Sequence, residues 1–71
     1  MSENQKDAET LTDVEVVLTG TDGNAFAVMG KVAKALRRAG RRNLVEAYMA
    51  EAMSGDYDHL LQTTMRYVQV S

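Results

Sequence analysis

The chain reads as α+β, a small single domain with an N-terminal strand followed by two or three helices and a possible C-terminal strand. Three observations predict this. Residues 14–19 alternate at period two, as a half-buried strand does. From Ala25 onward apolar residues recur at three- and four-residue spacing, the signature of an amphipathic helix. A length of 71 residues leaves room for one domain.

The elements follow in order. Residues 1–12 are polar and aperiodic and read as a disordered acidic tail, leaving residues 13–71 as the domain. In "DVEVVLTG", Val14, Val16 and Leu18 share one face, while Glu15, Val17 and Thr19 share the other. Gly20 closes that strand. A helix spans Ala25 to Ala39, its stripe formed by Phe26, Met29, Val32, Ala33 and Leu36. Asp22 or Asn24 can cap its first turn, and Gly40 stands where a left-handed residue ends a helix.

Asn43 followed by Glu46 resembles a capping box with Asn in place of Ser or Thr, opening a second helix through Met53. Leu44, Tyr48 and Ala52 are its apolar face. Ser54-Gly55 stops it, and Asp56 or Asp58 can cap a third helix carrying Tyr57, Leu60, Leu61, Thr64 and Met65. The terminal "RYVQV" suits either a short strand paired with "VEVVL" or a helix continuing to Val68.

Composition narrows the function classes. Without cysteine there is no disulfide, thiolate metal site or cysteine nucleophile. "MSENQKDAET" has no apolar core, so no signal peptide is expected, and the short apolar runs predict no membrane span. The expected setting is cytoplasmic, with no cofactor. A domain this small buries little of its surface, which makes a homo-oligomer an expectation.

The net charge of −2 conceals an asymmetry. Residues 1–15 carry five acids against Lys6, residues 16–42 six bases against Asp22, and residues 43–71 four acids against Arg66. On a helix, Lys31, Lys34, Arg38 and, if the helix persists, Arg41 line one face opposite the apolar stripe, with Arg37 nearby. Such a face suits an acidic protein partner, or phosphates of a nucleic acid or small anionic ligand. It also suits a solvated surface with cations near the helix C-terminus. No aromatic residue interleaves the cations, which argues against base stacking.

Two turns are the other candidates. Gly23 and Asn24, in the turn over residues 20–26, could offer an anion backbone N–H groups at a helix start. The order is not that of a nucleotide-binding loop, Asp22 opposes an anion, and a plain capped turn explains the same residues. In "GDYDH", Asp56, Asp58 and His59 are close in sequence but do not converge on one point, so capping outweighs a metal site. One histidine and no nucleophile elbow give no catalytic set. Tyr48 and Tyr57 have the apolar ring and polar tip of interface anchors. If both turns lie at one end of the domain, they make one polar surface.

The blocks "DGNAF" and "SGDYDHLLQT" carry a resemblance covering about residues 14–70. The chain resembles a group of short uncharacterised phage, prophage and bacterial proteins without an established activity. The resemblance implies a small accessory protein of a mobile element and transfers no binding residue. The expected function is therefore a non-enzymatic binding protein acting by contact with a host protein through Lys31, Lys34, Arg37, Arg38 and Arg41, with Tyr48 and Tyr57 as anchors. The alternative is nucleic-acid or small anionic-ligand binding through helix 31–42 and the 20–26 turn.

Overall fold

The computed structural model describes residues 10–20 and 23–71. The chain forms β1 (Glu15–Val16), α1 (Ala25–Arg38), α2 (Arg42–Ala52), α3 (Tyr57–Tyr67) and β2 (Gln69–Val70). Together they make a small α+β domain whose helices pack consecutively, while β1 and β2 pair in parallel. Both competing readings of "RYVQV" hold in part: α3 runs through Tyr67, and the chain then turns extended at Val68 to reach β1.

The strand keeps its expected faces. Val16 and Leu18 are buried and Val14 half-buried, while Glu15, Val17 and Thr19 face solvent. Of residues 10–12, expected to belong to the tail, Thr12 is buried and the exposed Leu11 is held by its backbone. Leu11 N–H donates to Arg66 C=O and Thr12 N–H to Tyr67 C=O, and the buried Thr12 hydroxyl donates to Tyr67 C=O at 2.8 Å. These bonds satisfy carbonyls at the end of α3 that the helix itself leaves free. The rest of the expected tail, residues 1–9, lies outside the described residues.

Asn24 caps α1, its Oδ1 accepting from Ala27 N–H at 3.1 Å; Asp22 lies outside the described residues. Gly40 ends the helix at φ 79°, as its position predicts. Its N–H donates to Arg37 C=O and that of Arg41 to Leu36 C=O, the paired bonds of a Schellman ending. That ending delivers Arg41 straight into the N-cap of α2, with no side-chain cap. The expected Asn43/Glu46 box is therefore displaced, because Asn43 already lies inside the helix.

Val28, Met29, Val32 and Leu36 of α1 meet Tyr48 and Ala52 of α2, Leu60 and Tyr67 of α3, and Val16, Leu18 and Val68. Phe26, expected on the α1 stripe, is 79% exposed. At about 100° per residue it sits roughly 120° round from Val32, beyond the covered arc. Met65 is likewise exposed, because α3 turns Thr63 and Tyr67 inward instead.

Tyr48 is fully buried, which corrects its expected role as a surface anchor. Its ring meets Tyr67 edge-on, with centroids 5.3 Å apart, and its hydroxyl lies 2.7 Å from Thr64 Oγ1. Thr64 spends its own proton on Leu60 C=O, so Tyr48 donates and Thr64 accepts. Burial raises the Tyr48 pKa above its ordinary value, and the bond to Thr64 offsets part of that rise.

Candidate functional site

Two surfaces contain the residues singled out by sequence. The first is the corner between α2 and α3. Ser54 Oγ donates to Glu51 C=O at 2.7 Å, and Asp56 Oδ1 caps α3 by accepting from His59 N–H at 2.9 Å. Asp58 accepts from Gln62 Nε2 at 3.2 Å. His59 Nε2 lies 3.0 Å from Glu51 C=O. A carbonyl only accepts, so this nitrogen carries the ring proton and ties α3 back to the end of α2. A Cβ on Gly55 would stand 2.8 Å from His59 Cβ and Cγ, so only glycine leaves room for the ring. Arg66 and Glu51 add an exposed ion pair between the same helices. The block "SGDYDH" is thus used up in building a helix–helix corner. Among the described residues no group of three histidine or acidic side chains is placed to hold a metal ion.

Tyr57 joins this corner to the opening turn, its hydroxyl oxygen accepting from Gly23 N–H at 2.5 Å. The two turns therefore share one end of the domain. Among the described residues, Ala25, Phe26, Met29, Met53, Tyr57 and Leu60, with Asp56, line a largely apolar groove there of about 300 Å³. Two of the backbone donors that an anion would need here are engaged in the fold, Gly23 N–H by the Tyr57 hydroxyl and Ala27 N–H by Asn24 Oδ1.

The second surface lies between β1 and α1. Lys31, Lys34 and Arg38 project from successive turns of α1 into a groove of about 310 Å³ whose other wall is Glu15, Val16 and Val17. Their spacing of three and four residues puts them on one helical flank. None of the three is ion-paired with a described residue. Glu15 is the one carboxylate lining the groove.

The expected basic cluster is thus divided. Arg37 lies about 100° round the helix from Arg38 and does not line the groove. Arg41 leaves the face because α1 ends at Arg38 and Arg41 sits in the turn before α2. The groove adds Val17, a residue that sequence reasoning counted only as the outer face of a strand. Its alternation with Val16 and Leu18 was visible; which strand edge it would border depends on a pairing partner more than fifty residues away.

No family model matches the chain, and neither the curated proteins nor the solved structures contain a match to it. Among the described residues no helix is long and apolar enough to cross a membrane.

Proposed function

We propose that the chain is a small non-enzymatic binding protein that acts by contact with an acidic protein partner, as an accessory factor of a mobile element meeting a host protein. The observation that carries this reading is the convergence of Lys31, Lys34 and Arg38 on one groove without an ion-paired carboxylate among the described residues. Unpaired like charges in a concave surface raise the local potential and steer an oppositely charged partner to it. Ser54, Asp56 and His59, the residues that chemistry would most need, are engaged in the α2–α3 corner. The mobile-element setting rests on the sequence resemblance alone. Self-association belongs to the same reading, with the exposed Phe26 and Met53 as apolar surface for a second copy to cover.

The same cations suit phosphate, and titration separates the two partners. A glutamate-rich peptide and a short DNA duplex are titrated against the wild type and against Lys31→Glu/Lys34→Glu/Arg38→Glu over a range of salt. Peptide binding that the triple variant loses supports the protein-contact reading. Duplex binding that falls log-linearly with salt, with a slope of about −0.9 per phosphate contacted, replaces it with the nucleic-acid reading. Sedimentation across protein concentration decides self-association.

A further inference from the structure

The outer edge of β1 is one that no described residue covers. Parallel pairing engages alternate residues of β1 and its flanks, from Val14 to Leu18. Val14 C=O accepts from Gln69 N–H at 2.8 Å, Val16 C=O accepts from Ser71 N–H at 3.0 Å, and Leu18 N–H donates to Ser71 C=O at 3.3 Å. The register sets Glu15 opposite Gln69 and Val16 opposite Val70, so the N–H and C=O groups of Glu15 and Val17 point to the far edge. No described residue pairs with those four groups. An uncovered edge is a template for another strand. This one opens into the groove carrying Lys31, Lys34 and Arg38, and Val17 beside it is 52% exposed.

We infer that the free edge of β1 receives an extended acidic segment of a partner protein, which adds as a third strand with its carboxylates over Lys31, Lys34 and Arg38. The inference rests on the protein-contact reading and specifies how the contact is made. Each feature of the groove selects part of this occupant. The open backbone groups of Glu15 and Val17 ask for a chain with its own N–H and C=O ladder, which a nucleic acid does not have. The cations flank the inner side of the edge, so residues of the added strand facing α1 are the acidic ones. The alternate residues face outward beside Val17 and are β-branched or aromatic, since cross-strand apolar pairs stabilise a sheet. A second copy of this edge would bring its own Lys31, Lys34 and Arg38 against the first set, and like charges reject it. Backbone bonding supplies affinity and the alternating side chains supply choice, as in other strand-addition complexes.

The test uses the full chain and a short synthetic peptide of alternating glutamate and valine. Its partner probe is the same peptide N-methylated on alternate residues, which keeps the charge and removes one bonding edge. Expected are slower amide exchange at Glu15 and Val17 on binding, by about tenfold or more, and a comparable loss of affinity for the N-methylated peptide. Val17→Pro deletes one edge donor without touching a charge and is expected to weaken binding similarly while keeping the helical circular dichroism. Glu15→Gln removes the opposing carboxylate and is expected to tighten binding. If Val17→Pro unfolds the chain, the N-methylated peptide and the wild-type exchange rates decide alone. Equal affinity for both peptides, with Glu15 and Val17 exchange unchanged, overturns the strand-addition inference and leaves the basic-face reading standing. Failure of the unmodified peptide to bind, or binding of a DNA duplex in its place, overturns both.

Discussion

The α2–α3 corner and the β1–α1 groove are both rich in polar residues, and they use them in opposite ways. At the corner each side chain has a partner within the fold: Ser54 and His59 on Glu51 C=O, Asp56 on His59 N–H, Asp58 on Gln62. In the groove Lys31, Lys34 and Arg38 stand along one wall facing β1, beside backbone groups that are equally unengaged. An unusual string of polar residues therefore marks a place where the fold is demanding, whereas ordinary lysines at helical spacing mark the surface with bonding capacity to spare. A residue's chemistry counts toward function only after the bonds it owes its own chain are subtracted.

Substitutions can sharpen or break that contrast, and the largest effect is expected beneath the corner. Tyr48→Ala empties a fully buried site and removes the donor to Thr64. By analogy with other large aromatic deletions it is expected to cost about 3–5 kcal/mol, enough to unfold a marginal domain of this size, as circular dichroism melts would show. Gly55→Ala comes next. Its added methyl must displace His59, and overpacking of that kind costs about 1–3 kcal/mol; an unchanged melting temperature would mean the ring moves freely and the corner is not as demanding as its contacts suggest.

Smaller again is the alkaline response. Tyr48 has a raised pKa in the fold, so the unfolded chain loses this proton at lower pH than the folded one does. The contribution is fully present below the ordinary tyrosine value near 10 and is lost as pH rises through the folded value. Urea titrations at increasing pH are expected to show stability falling above that point, with a shallower fall in Tyr48→Phe. Last come the groove cations. Lys34→Ala or Arg38→Ala is expected to shift stability by less than about 0.5 kcal/mol, because neither is buried or ion-paired with a described residue. A large loss of stability in either variant would move the groove into the same category as the corner.

The framework was legible because local rules decide it. Alternation at Val14, Val16 and Leu18, the cap at Asn24, the stop at Gly40 and the cap at Asp56 each depend on neighbours within a few residues. Misreadings arise where distant partners choose. Phe26 has the right spacing for a core residue, but the arc that β1, α2 and α3 cover ends before it. Tyr48 and Tyr57 are alike in sequence; one is enclosed by Thr64 and Tyr67, the other reaches out to Gly23. The site was half legible. Lys31, Lys34 and Arg38 share a flank by periodicity, but the wall opposite them is set by β1, whose orientation only pairing with β2 establishes.

That pairing is also where the fold joins its most distant parts. The bond from Thr12 to Tyr67 spans 55 positions, whereas each helix packs on its immediate successor through a short connection. Closing so long a loop carries an entropy cost that the helix pairs do not share. With strands of only two residues joined over that span, the sheet is expected to open before the helix pairs do, an order that native-state amide exchange would show. Each opening dissolves the edge of β1 itself, so a strand-adding partner meets a docking surface that exists only in the closed fraction of molecules. Its apparent affinity is scaled by that fraction, and its binding in turn holds the two ends of the domain together.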